Sequence, residues 1–182
     1  MKRFKRLTAG LLGVVMALGV CSFTAFAEDG VAKIKGKDGN YATLQAAIEA
    51  VTDETETTIE LIANTEEDIE IPEGKNIVLD LNEYTIKNDE GHTITNNGTL
   101  VIEGDGTVDN VTHQKAAIYN NGTITLNGGN YTRSMENGSS SENSGGNSYY
   151  TLLNHGKMTI NDGVKVSQGP DGKGQFSSLV EN

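Results

Sequence analysis

A near-repeat in the second half of the chain constrains the fold more than any other feature. Three segments align: Ile94-Thr95-Asn96-Asn97-Gly98-Thr99-Leu100, Ile118-Tyr119-Asn120-Asn121-Gly122-Thr123-Ile124 and Leu152-Leu153-Asn154-His155-Gly156-Lys157-Met158. Each reads as a short strand, a two-residue corner, a glycine and a second strand. A third short strand follows at Thr107-Val108, Asn130-Tyr131-Thr132 and Val164-Lys165-Val166. Successive units are offset by 24 and 34 residues, and the extra length falls at Arg133 to Ser148. Periods of this size mark solenoids, whose insertions collect at one corner. The strands are β-branched and alternate in polarity, as half-buried strands do. Asn-Gly also favours two-residue hairpins, which would build an antiparallel meander. Three unequal strands recurring in one order favour a coil instead, with three parallel sheets around a narrow core.

Upstream the pattern is looser. Thr58–Ile62, Asp68–Ile71, Ile77–Leu81 and Tyr84–Ile86 read as strands. Before them, Asn40–Val51 reads as one helix, with Leu44, Ala47, Ile48 and Val51 on a single apolar face and Thr43 as N-cap. The first coil of a solenoid would leave its apolar end open to water. An amphipathic helix just before the first strand suits that end as a cap.

Tyr41-Ala42-Thr43-Leu44-Gln45-Ala46-Ala47-Ile48, then Gly74-Lys75-Asn76-Ile77-Val78-Leu79-Asp80-Leu81-Asn82, then repeated Asn-Gly-Thr resemble the pectate-lyase-like superfamily. More narrowly, the chain resembles secreted β-helix repeat proteins of Gram-positive bacteria, over nearly all of residues 31–182. The resemblance implies an all-β, right-handed parallel β-helix. It says little about activity, because one fold hosts many chemistries.

The N-terminus reads as an address. Lys2-Arg3-Phe4-Lys5-Arg6 is a positive n-region, Leu11 to Val20 a short apolar run, and Ala25-Phe26-Ala27 an A-x-A cleavage site. This is the pattern of a secretory signal peptide, and the apolar run is shorter than the roughly 20 residues a membrane span needs. Cys21 raises a lipoprotein alternative, but Val20 stands where such signals need a small residue. The expected organisation is a signal peptide over 1–27, a cap region over 28–57 and coils over 58–182. Cleavage after Ala27 would leave no cysteine, so no disulfide could staple the product. The expected location is extracellular, secreted or at the cell surface, with no membrane span after cleavage.

Composition supports this reading. Of 182 residues 22 are Gly, none is Trp and 36% are apolar, which disfavours a helical bundle and wholesale disorder alike. The net charge of -11 combines +4 over residues 1–27 with -15 over the rest. So acidic a body repels nucleic acid and anionic lipid.

Candidate sites follow from the repeat. Asn96, Asn120 and Asn154 share one corner of successive coils and can stack as a ladder of side-chain amides. Asn97 and Asn121 precede glycine and suit left-handed backbone. Asn97-Gly98-Thr99, Asn121-Gly122-Thr123 and Asn110-Val111-Thr112 are also sequons, though a turn role fits a regular corner better. Insertions at Asn110–Lys115, Arg133–Ser148 and Ser167–Gln175 should leave from one edge. Along that edge Lys115, Arg133, Tyr149 and Phe176 are the candidate ligand-binding residues. Sugars stack their C–H faces on such rings; the competing role for Tyr149 and Phe176 is to pin loop bases.

Enzymes of the resembled superfamily cut acidic polysaccharides. Its lyases hold calcium with carboxylates and use an Arg or Lys base; its hydrolases pair aspartates. None of these motifs carries over, so no catalytic residue is assigned. No cofactor is expected, with loose calcium binding at Asp53–Glu56 or Glu66–Glu70 as the alternative to solvated loops. His92, His113 and His155 fall at different places in the repeat and form no metal spacing. The functional expectation is a non-catalytic surface module contacting extracellular polysaccharide or a host or cell-surface glycan. The alternative is a polysaccharide lyase or glycoside hydrolase. Finally, Ser178–Asn182 aligns with Thr151–His155, so the chain stops one residue before the expected glycine. That alignment predicts a truncated stack or one completed by a partner.

Overall fold

The computed structural model describes residues 26–27, 29–52, 54–135, 150–169 and 179–182. The expectations resting on Lys2–Val20, on Cys21, and on residues 136–149 and 170–178 of the two longer insertions lie outside these.

The chain begins with β1 (Phe26–Ala27), β2 (Ala32–Ile34), β3 (Asn40–Tyr41) and one helix, α1 (Leu44–Glu49). Strand β1 holds two of the three residues of the expected cleavage site and pairs antiparallel with β3. The helix is shorter than its apolar pattern suggests, because Asn40 and Tyr41 are taken into the sheet. Its N-cap is Thr43, whose Oγ1 accepts from the Ala46 N–H at 3.1 Å. Leu44, Ala47 and Ile48 are buried. The helix packs against β2, β3 and the first coil.

The first coil contains β4 (Thr57–Leu61), β5 (Thr65–Glu66) and β6 (Ile69–Ile71). The second contains β7 (Asn76–Asp80), β8 (Thr85–Lys87) and β9 (Ile94–Asn96). The third contains β10 (Thr99–Glu103), β11 (Thr107–Asp109) and β12 (Ile118–Asn120). The fourth contains β13 (Thr123–Leu126), β14 (Asn130–Thr132) and β15 (Leu152–Asn154). A fifth contributes β16 (Lys157–Ile160), β17 (Lys165–Val166) and β18 (Val180–Glu181). Like strands of successive coils pair in parallel, giving a first sheet β4-β7-β10-β13-β16, a second β5-β8-β11-β14-β17 and a third β6-β9-β12-β15-β18. The antiparallel strands β1 to β3 extend the first sheet beyond β4. The protein is a parallel β-solenoid.

Alternation fixes which residues fill the core. In β10, Leu100 and Ile102 are buried while Thr99 faces water. In-register columns such as Ile59-Leu79-Ile102-Leu126 and Ile69-Ile94-Ile118-Leu152 stack aliphatic on aliphatic. On the fifth coil the equivalent column position, Ile160, is 43% exposed.

The corner asparagines form the expected ladder. Asn96 Nδ2 donates to Asn120 Oδ1 at 2.7 Å, and Asn120 Nδ2 to Asn154 Oδ1 at 2.6 Å. Asn154 Nδ2 then donates to Asn182 Oδ1 at 2.5 Å. This fourth rung corrects the end of the repeat. Leu152 pairs with Val180 and Leu153 with Glu181, so Asn182 matches Asn154 rather than His155. A slip of one residue exchanges the inward and outward faces of a strand. Two adjacent apolar residues, Leu179 and Val180, leave that choice open in the sequence; the backbone pairing and the Asn154–Asn182 bond agree on one register.

The reading of Asn97 and Asn121 as left-handed is also corrected. The described non-glycine residues with positive φ are Asn82, Glu83 and Gln114. The corner glycines serve close approach instead. A Cβ on Gly98 would lie 2.5 Å from the Pro72 carbonyl oxygen. A Cβ on Gly122 would strike the Gly98 carbonyl, and one on Gly156 the Gly122 carbonyl. Backbone lies directly on backbone at this corner, with no room for any side chain.

Candidate functional site

The second polar column of the solenoid is at the corner where insertions leave. Extending the register of the second sheet by one or two residues aligns Asn88, Asn110, Arg133 and Gln168. All four are buried. Asn110 Nδ2 donates to the carbonyls of Gly91 (2.9 Å) and Ala116 (3.1 Å), tying the return of its own loop to the loop of the preceding coil. Asn88 Oδ1 accepts from the Val111 N–H at 2.6 Å, and its Nδ2 donates to Thr112 Oγ1 at 2.7 Å. The structure thus places Arg133 inside, at 0% exposure, rather than on the loop edge. Asn110, half of a sequon in the sequence, is 1% exposed and holds the loop.

Lys115 is partly exposed and stands where the third coil's loop returns to β12. Tyr149 lies outside the described residues, as does Phe176.

A recess of about 250 Å³ opens at this loop return, over the outer face of the third sheet. His92, Ala116, Tyr150, Leu153, His155 and Glu181 line it, with Gln114 at its rim. The register explains the shape. His92, Ala116 and Tyr150 occupy one position on successive coils, two residues before Ile94, Ile118 and Leu152. The small Ala116 between two ring-bearing residues leaves a hollow. Leu153 and Glu181 form the neighbouring outward column, in register with Tyr119.

Tyr119 joins the two histidines. Its ring stacks on His92 with centroids 4.8 Å apart and planes at 19°. The His155 ring meets it edge-on at 5.3 Å and 82°. Tyr119 Oη lies 3.4 Å from His155 Nδ1. His92 Nδ1 accepts the Ala116 N–H at 2.8 Å, which leaves the proton of the neutral ring on Nε2. The His92 pKa is lowered, chiefly by burial and then by the charge of Lys115, with Asp68 opposing. A backbone contact holds a proton on histidine only where the backbone is the acceptor. Here it is the donor, so this hydrogen bond adds to the lowering rather than resisting it.

Sequence reasoning places a contact surface at the loop return but misses His92, Tyr119, Tyr150 and His155. The signal is partial: Tyr119 is an outward aromatic on a short strand, and His155 stands beside a ladder asparagine.

The acid-rich stretch 66–70 is spent on the fold. Glu66 pairs with Lys87 at 2.9 Å. The Glu67 carboxylate accepts the Leu44 and Gln45 N–H groups at 2.8 and 3.0 Å, anchoring the start of α1. Asp68 accepts from the N–H groups of Asp89, Glu90 and Gly91. Among the described residues, no group of three or more His, Cys, Asp or Glu could hold a metal ion, and no helix is long and apolar enough to cross a membrane.

No family model, curated protein or solved structure matches this chain.

Proposed function

We propose that the chain is a secreted or cell-surface β-helix module of the pectate-lyase-like kind, non-catalytic, that holds an extracellular glycan. One observation carries this reading: the recess over Ala116, bounded by His92, Tyr150, Leu153 and His155. Sugars bind such surfaces by laying C–H faces against rings while hydroxyls meet polar tips. The imidazole nitrogens and the Glu181 carboxylate supply those tips. A chain with net charge -11 favours neutral glycans over polyuronates. The Gram-positive, signal-directed origin suggested by the sequence fits an extracellular ligand.

The catalytic alternative, a lyase or hydrolase, has one contact in its favour: the Tyr119 hydroxyl stands 3.4 Å from an imidazole nitrogen that could act as its base. A panel of neutral and acidic oligosaccharides separates the two. Binding by the purified protein without release of reducing or unsaturated ends supports the module. Product above background, abolished by Tyr119→Phe, overturns it in favour of the enzyme.

A further inference from the structure

His92 is placed to do more than line the recess. Its Nδ1 accepts a hydrogen bond from the backbone of Ala116, the residue that forms the recess floor. Its ring is one wall and is stacked on Tyr119. An imidazolium carries N–H at both nitrogens and can accept nothing. On protonation, the His92 Nδ1–H and the Ala116 N–H would point at each other, and the ring has to turn or withdraw. Ala116 is well held on its other side, where its carbonyl accepts from the Thr93 N–H at 3.2 Å and from Asn110 Nδ2 at 3.1 Å. The histidine is therefore the part free to give way, carrying one wall of the recess with it.

We infer that the recess is gated by protonation of His92: the neutral ring, tied to Ala116 and stacked on Tyr119, keeps it formed, and the imidazolium dismantles it. The charges around the ring set the balance. Lys115 and Arg133 disfavour the proton and Asp68 favours it. Tyr119 faces it from the next coil, His155 meets the edge of that tyrosine, and His155 and Glu181 line the same recess. Two of the groups near His92 are thus cationic, and burial acts in the same direction. The ring is neutral at pH 7 and charges under acid, so ligand is held near neutrality and released on acidification. This consequence rests on the recess being the glycan site proposed above; the gate itself does not.

The test is built to keep those two apart. Amide and ring resonances of the full chain are followed by NMR from pH 8 to pH 5. The Ala116 amide and the Tyr150 and Leu153 signals should titrate with the His92 ring, at one midpoint below about 6.5, the ordinary histidine value. His92→Asn places a non-titrating acceptor where Nδ1 was, and in it these signals should stay flat. An Ala116 amide that stands still while His92 titrates overturns the gate, as does a titration unchanged in His92→Asn. The wild-type titration decides the matter even if the variant does not fold. Binding is then measured with cellohexaose, xylohexaose and maltohexaose. Affinity that falls about tenfold or more between pH 7.5 and pH 5 in the wild type, and stays level in the variant, supports the gate; one pKa unit of linkage corresponds to tenfold. Binding that is equal at both pH values while Ala116 titrates leaves the gate standing and overturns the recess as the glycan site. No binding at any pH, with Ala116 still titrating, supports the gate and sinks the glycan reading.

Discussion

Among the described residues, two buried polar columns run along the solenoid, and they are built on opposite rules. At the corner between the third and first sheets the same side chain recurs: Asn96, Asn120, Asn154 and Asn182, each amide bonded to the next. At the corner between the second and third sheets the buried column changes residue: Asn88, Asn110, Arg133, Gln168. From Asn96 onward the first corner keeps a length of two residues between strands, so each side chain meets an identical neighbour one coil away and the column satisfies itself. The second carries loops of different lengths, so its side chains must reach whatever backbone groups each loop leaves behind. Asn110, for example, reaches the carbonyls of Gly91 and Ala116. An identical ladder is what uniform geometry selects. A varied one marks where the fold tolerates change, and the recess formed there.

The sharpest way to break the comparison is to insert Gly-Ser-Gly-Ser between Asn121 and Gly122. Gly122 has backbone directly beneath it, and the ladder runs through the adjacent Asn120. We expect loss of the cooperative fold, seen as loss of the β circular-dichroism signal; a folded product would show that this corner is as permissive as the other. Gly122→Ala should cost several kcal/mol for the same reason, on the order of overpacked core positions.

Next in size is Asn120→Ala. It breaks both ladder bonds at a buried corner, leaving Asn96 Nδ2 with only the Gly98 and Thr123 carbonyls and Asn154 Oδ1 with only the Gly156 N–H, and each broken hydrogen bond costs about 0.5–1.5 kcal/mol. Urea unfolding should report a total of about 1–3 kcal/mol, and a loss under about 1 kcal/mol would mean the ladder is incidental to stability.

Stability should also fall with acid. The pKa of His92 is lower folded than unfolded, so the unfolded chain binds the proton more readily. The contribution of His92 is therefore present above about pH 6.5 and lost as pH falls through the unfolded value towards the folded one. The urea midpoint should drop from pH 7.5 to pH 5 by more in the wild type than in His92→Asn; equal drops would assign the change to other groups.

Tyr131 sharpens the comparison from inside. It stacks in the column Ile86-Val108-Tyr131-Val166, and its buried hydroxyl has no hydrogen-bond partner among the described residues. Burial accordingly pushes its pKa up. Tyr131→Phe should stabilise the protein by about 1 kcal/mol, since it removes a desolvated polar group and keeps the ring. A destabilised variant would reveal a partner for the hydroxyl.

The smallest effect is expected at the permissive corner. The same Gly-Ser-Gly-Ser inserted after the exposed His113 lengthens a loop and should cost under about 1 kcal/mol. A loss as large as at Asn121 would erase the distinction between the corners.

Much of this architecture is legible in the amino-acid sequence by itself. The Asn-Asn-Gly corners, the alternation in Thr123-Ile124-Thr125-Leu126 and the offsets of 24 and 34 residues specify parallel coils with a ladder at a fixed corner. Thr43 as N-cap and the place where insertions emerge are legible too. These features are local or strictly periodic. Backbone sterics, side-chain alternation and repetition act on neighbours in sequence, or on residues one coil apart, and leave their mark in the pattern itself. The tertiary structure alone decides the rest. The last coil's register is seen only in the pairing of Leu152 with Val180 and in the Asn154–Asn182 hydrogen bond, because adjacent Leu179 and Val180 give the alternation no way to choose between them. Arg133 reads as a loop-edge cation, yet it continues a buried column that begins with two asparagines. His92 and His155 sit at different positions of the repeat, one before a strand and one after. They converge because Tyr119, on the coil between them, touches both. Side chains that lean across coils break the period, so no repeat records them; only the stacking of coils with unequal loops brings them together.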